Sequence, residues 1–435
     1  MGSVLEWSLI DGTLPVVVSA AGGVSAVYLV AGHGRRWWLR SVPVAAATAV
    51  VVTVALTLVV DRLWRPFPDA LPTGVLVWVG VGLGAVTLGV ARSSMAGWRR
   101  RVLVCGCVVL VWGAAGVQVD RYYGQYPTVR SALGLAPVGQ VDLSRLATAT
   151  GAVTGTAPGE SLAQRWRPPP HLPARGVVSA VKIPSPVSRF AARTGWVYLP
   201  PAYLAVPRPL LPVLVLLAGQ PGSPRDWLDG GRLADMLDTF AAAHAGLAPV
   251  TVIPDDLGSA LANPLCLDSR LGNVQTFLSI DVPAWITRTL QVDTDPRRWA
   301  IGGYSHGGTC SLQLALQAPR VYPTFIDISG QQEPTLGDRQ RTVRAAYGGD
   351  QAAFVRVNPL DVLATARFPG TAGMIVAGRQ DDTYRPQQLR VFAACRAAGL
   401  QVRFLEIPGG HNWAVWGPGL RLSLPWWATR VGLTP

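Results

Sequence analysis

The stretch Trp299-Ala300-Ile301-Gly302-Gly303-Tyr304-Ser305-His306-Gly307-Gly308 decides how this chain is read. An apolar run that fits a buried strand leads into G-x-S-x-G, at Gly303, Ser305 and Gly307, and helix-compatible sequence continues through Ala318 to a stop at Pro319. A serine on so sharp a strand-to-helix turn has its Oγ pushed clear of the sheet. The flanking glycines remove Cβ atoms that would collide with the tight backbone. The helix start leaves N–H groups without intrahelical partners, so the backbone N–H of His306 can face a developing oxyanion. In a chain with 47 Gly the motif alone is weak. Its weight comes from the strand before it, the helix after it and the residues downstream.

Outward from this stretch, the chain reads as two different proteins joined end to end. Residues 1–120 hold four apolar runs, at about 14–32, 43–60, 71–91 and 102–119, free of Asp, Glu, Lys and Arg apart from Arg92 just past the third. Uncharged runs of 18 residues or more are long enough to cross a bilayer, and four of them exceed what a single signal peptide explains. Arg35, Arg36 and Arg40 follow the first run, and Arg92, Arg99, Arg100 and Arg101 the third. The second loop balances Arg62 and Arg65 against Asp61 and Asp69. The excess of arginine places loops one and three in the cytoplasm and both termini outside. Trp37, Trp38, Trp64 and Trp98 stand at the ends of runs, where aromatic belts form. Without ionisable groups facing a bundle interior, the segments read as an anchor rather than a transport path.

The net charge of +13 is spread over scattered arginines, Lys182 being the only lysine. With no basic block or recognisable nucleic-acid module, a solvated surface is expected rather than nucleic-acid binding, and the Ala, Arg, Val and Gly usage fits a high-GC bacterial source. Residues 121–175 are rich in Pro, Gly and Ala, with Arg167-Pro168-Pro169-Pro170 as an extended stretch, and read as an extracytoplasmic linker with short helices near Ser131 and Leu143. From residue 176 to 435 short β-type runs alternate with helical ones. The strands are expected at 176–183, 195–199, 212–217, 249–253, 299–301, 324–328, 373–377 and 401–407. That alternation predicts an α/β fold with a mostly parallel sheet covered on both faces, its reactive groups at the carboxyl ends of the strands.

A serine at its free pKa is a poor nucleophile and needs a base that is itself oriented by an acid. Five histidines are available. His33 falls in a membrane loop, His171 in the linker, and His244 at the end of a helical run, where a surface position is ordinary. The side chain of His306 is expected to point away from its neighbour Ser305. His411, in Pro408-Gly409-Gly410-His411-Asn412-Trp413 directly after the last strand, is left as the base. The acid is expected after the strand at 373–377, where Gly378-Arg379-Gln380-Asp381-Asp382 supplies Asp381 as first choice and Asp382 as the alternative. A second oxyanion donor is expected from Ala218-Gly219-Gln220-Pro221-Gly222; because Pro221 has no N–H, the backbone of Gln220 is favoured over that of Gly219. No zinc or calcium motif is present, and neither metal nor cofactor is expected. Cys105 and Cys107 fall in the fourth apolar run. Of Cys266, Cys310 and Cys395, one pair is expected to be oxidised; a Cys266–Cys310 bond would brace the serine helix, although spacing does not settle connectivity.

Residues of about 176–420 resemble the putative-esterase family of α/β-hydrolases, which includes S-formylglutathione hydrolases, enterochelin esterases and actinobacterial mycolyltransferases. The resemblance is carried by Val197-Tyr198-Leu199-Pro200-Pro201, Leu217 through Gly222, Cys266-Leu267-Asp268-Ser269 through Asp281-Val282-Pro283, Gly303 through Gly308, Gly378 to Asp381, and Gly410-His411. It implies an α/β-hydrolase domain with Ser305 as nucleophile, His411 as base and Asp381 as acid, and a Cys266–Cys310 disulfide as in envelope-associated members. Two departures bear on substrate: His306 replaces the small or Met residue common after the nucleophile, and secreted mycolyltransferases lack the four spans. The expectation is a multi-pass plasma-membrane serine esterase whose outer domain acts on an ester-bearing lipid or envelope metabolite. A cell-envelope acyltransferase and a non-catalytic assembly or binding protein are the alternatives. Trp413, Trp416, Trp426 and Trp427 are read three ways, as an acyl pocket, as a rim resting on the bilayer, or as the packing of a last helix.

Overall fold

A computed structural model describes residues 3–32, 34–93, 97–146, 152–153 and 160–435. His33 and parts of the expected linker, 147–151 and 154–159, lie outside the described residues. The chain divides into two units, Met1–Leu135 and Ala136–Pro435.

The first unit is built on four helices, α1 (Thr13–Val30), α2 (Val42–Leu58), α3 (Thr73–Ser93) and α4 (Trp98–Tyr123). Single turns of π-helix at Trp37–Ser41 and Val59–Trp64 extend α2 to the span Trp37–Trp64. All four are long and apolar enough to cross a membrane. Most of their large side chains face outward, as Val50, Val51, Val90 and Val109 do. Small residues mark the contacts between them: a Cβ at Gly22 would run into Ala114, and one at Gly82 into the ring of Trp112. Arg92 is tucked in rather than exposed. Its guanidinium donates to the carbonyl of Ala31 and lies over the rings of Tyr28 and Trp37 at 4.7 and 5.2 Å.

The second unit is organised by eight strands: β1 (Val177–Val181), β2 (Gly195–Leu199), β3 (Val213–Leu217), β4 (Val250–Ile253), β5 (Trp299–Tyr304), β6 (Thr324–Ile328), β7 (Ala372–Gly378) and β8 (Gln401–Ile407). They lie in the order β8-β7-β6-β5-β3-β4-β2-β1. The pairings β1–β2 and β2–β4 are antiparallel, and those from β4 through β8 are parallel. The mostly parallel α/β sheet expected from alternating runs is therefore present, and β5 continues three residues further, to Tyr304. The central strands β3, β5, β6 and β7 are buried along their whole length, as a sheet covered on both faces requires.

The longer helices of this unit that bury side chains in the same core as the strands include α5 (Leu233–Ala243), α6 (Val282–Thr289), α7 (His306–Gln317) directly after β5, α8 (Arg385–Ala397) and α9 (Trp413–Arg430). The serine helix α7 is buried from His306 to Leu316, which explains its run of Gly, Cys, Ser, Leu and Ala without a charge. Part of the stretch read as linker packs on this unit. Leu162 and Trp166 are core residues, Leu162 N–H donates to Gly432 O, and Trp166 Nε1 donates to Ala245 O. Burying those two large side chains offsets the cost of ordering the segment.

Candidate active site

Tyr304 ends β5 and His306 begins α7, so the whole reversal of the chain falls on Ser305. It adopts φ 53° and ψ −119°, a left-handed conformation that non-glycine residues rarely take. Ser305 N–H donates to Ile328 O at 2.8 Å, tying the turn to the end of β6. The two motif glycines are sterically required: a Cβ at Gly303 would strike the backbone of Gly307, and one at Gly307 would strike the carbonyls of Leu217 and Ala218. The turn thus sits directly against the loop that follows β3.

Three strand ends bring the reactive groups together. His411, after β8, has Nε2 at 2.9 Å from Ser305 Oγ, and its Nδ1 is 2.9 Å from Asp381 Oδ2, after β7. A carboxylate only accepts, so Nδ1 carries the proton and the Nε2 lone pair faces the serine hydroxyl. Asp381 is 4% exposed, and its Oδ1 accepts the N–H of Tyr384 at 2.9 Å. Asp382, the alternative acid, is exposed to solvent. His171 is exposed too, and His244 caps α5, stacked on Phe240 with its Nδ1 on Phe240 O.

Sequence reasoning missed the residue that covers this pair. Tyr384 lies flat on the His411 ring, with centroids 3.9 Å apart and planes 17° from parallel, while its N–H holds the carboxylate. Trp416 meets the imidazole nearly at right angles, with centroids 5.1 Å apart. Trp413 and Trp416 pack on Tyr304, and Trp227 packs on both Tyr304 and Trp413. The tryptophan cluster is therefore core packing beneath the serine and histidine rather than an acyl pocket or a bilayer rim. Trp413, Trp416 and Trp427 are buried, and Trp426 is half-buried.

The loop after β3 is held by its own network. Gly219 lies against the Tyr304 ring, whose hydroxyl donates to Asp226 Oδ2 at 3.3 Å. Burial and the neighbouring Asp226 push the Tyr304 phenol well above its ordinary range, so it stays protonated. Both candidate backbone donors, Gly219 and Gln220, lie in this loop. Gln220 has its side-chain Nε2 on Leu261 O at 3.1 Å. On the far side, Gly222 N–H donates to Ala260 O, and Arg193 Nη2 donates to Gly222 O at 2.9 Å while the same guanidinium pairs with the buried Asp255 at 2.6 Å.

Behind the serine, His306 turns inward, as an elbow requires. It is 5% exposed, with Nε2 at 3.3 Å from Cys310 Sγ and 3.5 Å from Cys266 Sγ. The two sulfurs are joined in a disulfide, leaving Cys395 as a buried thiol. Burial pushes the imidazole pKa down to about 4, so it is neutral at pH 7. Asp256, fully buried at 3.6 Å from His306 Nε2, has its carboxyl pushed well up by burial and by Asp255 beside it. Asp256, Cys266, His306 and Cys310 are close enough to hold a metal ion, but with the sulfurs bonded to each other the set offers no thiolate. The signal for Asp256 was available in Pro254-Asp255-Asp256, an acidic pair at the carboxyl end of a central strand.

Residues 191–426 match the family described as putative esterase. Over 98% of its length the chain is 34% identical to an uncharacterized protein of Corynebacterium glutamicum, covering 99% of that protein. Among solved structures, an S-formylglutathione hydrolase from Agrobacterium tumefaciens superposes with a TM-score of 0.50 at 19% identity, covering 60% of this chain and 97% of its own. A ferulic acid esterase superposes with a TM-score of 0.49 at 20% identity, covering 59% and 98%.

Proposed function

The chain belongs to the putative esterase family and is a serine hydrolase, and from that premise we propose that Ser305, His411 and Asp381 form the catalytic triad of a membrane-anchored esterase. Its substrate is an ester-bearing lipid or cell-envelope metabolite outside the cytoplasm. The observation that carries the reading is the unbroken line Ser305 Oγ–His411 Nε2, His411 Nδ1–Asp381 Oδ2, both 2.9 Å, starting from a serine in a left-handed turn.

Ser305 Oγ attacks the ester carbonyl carbon as its proton passes to His411 Nε2. The charge that develops on the carbonyl oxygen meets the backbone N–H groups of His306 and Gln220, each such donor being worth roughly 10²–10³ in rate. His411 then returns the proton to the departing alkoxide, and an acyl-Ser305 remains. Water, deprotonated by the same imidazole, reverses these steps and releases the acid. Asp381 keeps the imidazole in the productive tautomer and stabilises its cation. The neutral His306 side chain takes no part in proton transfer; it fills the space between the serine turn and the disulfide.

Four apolar helices in the first unit support membrane anchoring. The arginines in loops one and three favour an orientation with residues 176–435 outside, tethered through residues 121–175. The test is fluorophosphonate labelling of the full-length protein in detergent, comparing wild type with Ser305→Ala and His411→Ala. Labelling that needs both residues supports the triad; folded wild type that takes no label sinks it. Turnover of p-nitrophenyl esters with and without added alcohols then separates hydrolysis from acyl transfer.

A further inference from the structure

A cleft of about 500 Å³ lies in the first unit, between the start of α2 and the end of α3. Its lining joins Arg36, Arg40 and Ser41 to the aliphatic Val44, Val86 and Val90, with two threonines among them. No carboxylate lines it, and among the described residues neither arginine forms an ion pair. Arg92, near the same end of α3, is differently placed. It is spent on Ala31 O and two aromatic faces, whereas Arg36 and Arg40 are exposed with their charge uncompensated.

We propose that this cleft binds one anionic glycerophospholipid, its phosphate held by Arg36 and Arg40 and one acyl chain lying along Val44, Val86 and Val90. Guanidinium groups suit a phosphate because they offer paired N–H donors in a plane. Two uncompensated cations beside an aliphatic groove match an amphiphile with a negative head and a hydrocarbon tail, which neither a free anion nor a zwitterionic lipid satisfies as well. Basic pockets between membrane helices take acidic headgroups for this reason. The cleft belongs wholly to the first unit, so lipid binding there stands or falls separately from the triad.

The experiment is native mass spectrometry of the full-length protein in neutral detergent, titrated with phosphatidylglycerol or phosphatidylcholine. Wild type should retain one phosphatidylglycerol in preference to phosphatidylcholine, and Arg36→Gln/Arg40→Gln should weaken that binding by roughly 30-fold. Far-ultraviolet circular dichroism and size-exclusion chromatography of the same samples report that the variant is folded. If the double variant fails to fold, Val86→Trp fills part of the aliphatic lining and leaves both arginines, and it should also lower retention. Equal retention of the two lipids, undiminished phosphatidylglycerol binding in a folded variant, or displacement of the lipid by millimolar inorganic phosphate overturns the proposal.

Discussion

Replacing Asp381 by Asn removes one charge and leaves the shape almost unchanged, yet the bonding around it makes the consequence large. Oδ1 accepts the Tyr384 N–H and Oδ2 faces His411 Nδ1, each at 2.9 Å. An Asn has one acceptor for these two donors. If its oxygen stays on Tyr384, the NH₂ group faces Nδ1, which must then accept; the ring proton moves to Nε2, and Nε2 can no longer take the proton of Ser305. If the amide is reversed, its NH₂ opposes the Tyr384 N–H at a site only 4% exposed, an unmade bond costing about 1–3 kcal/mol. The first arrangement is favoured, and it is catalytically wrong. The same exchange in a Ser-His-Asp triad costs about 10⁴ in kcat, which at 1.36 kcal/mol per decade is about 5.5 kcal/mol. With p-nitrophenyl butyrate and the full-length protein in detergent, Asp381→Asn should lose about 10³–10⁴ in kcat, and Asp382→Asn, on an exposed side chain, less than about threefold. A folded Asp381→Asn enzyme that keeps more than about a tenth of wild-type kcat would refute the reasoning.

Tyr384→Leu removes the ring stacked on His411 but keeps the backbone donor to Asp381, so kcat should fall about 5- to 30-fold at unchanged KM. Tyr384→Phe keeps the ring and should stay near wild type; equal losses in the two variants would assign the effect to the hydroxyl that both lack, which accepts from Gln331 Nε2, and refute the role of the ring. Cys266→Ala/Cys310→Ala opens a closure spanning 44 residues, worth about 4 kcal/mol in chain entropy, and should lower the melting temperature of the full-length protein by several degrees. An unchanged Tm contradicts that. Stability should also respond to pH. His306, pushed down from 6.5 to about 4, stays neutral where the unfolded chain binds a proton, so its contribution to stability rises with pH across that window. Asp327, pushed by burial from 3.8 up to about 7, keeps a proton that the unfolded chain releases, so its contribution falls from about pH 4 to 7 and is flat above. The two slopes oppose each other between about pH 4.5 and 6.5. Asp327→Asn removes one of them, and its Tm should climb with pH more steeply than that of wild type; parallel curves would refute the assignment.

The sequence by itself determined whatever depends on short-range geometry and on composition. Four uncharged runs mark helices long and apolar enough to cross a membrane, and the Val- and Ile-rich runs alternating with helices mark a parallel sheet because strands covered on both faces have no polar side. Gly303-Tyr304-Ser305-His306-Gly307 marks the turn because only glycine fits where Gly303 meets the Gly307 backbone. Chain order alone singled out His411, after the last strand. Tertiary structure decided the choices between adjacent residues and between distant partners, where sequence spacing carries no direction. Adjacent positions left Asp382 open beside the favoured Asp381, and the fold turns Asp381 inward to the imidazole and Asp382 to solvent. Which of Gly219 and Gln220 faces an oxyanion depends on how the loop packs against Tyr304, far away in the chain. The tryptophans after His411 could not be read as core rather than surface, since their burial depends on Tyr304 and Trp227, far away in the chain. The stacking of Tyr384 on His411 and the placing of Asp256 behind the disulfide likewise arise where separate strand ends converge, contacts that no local pattern encodes.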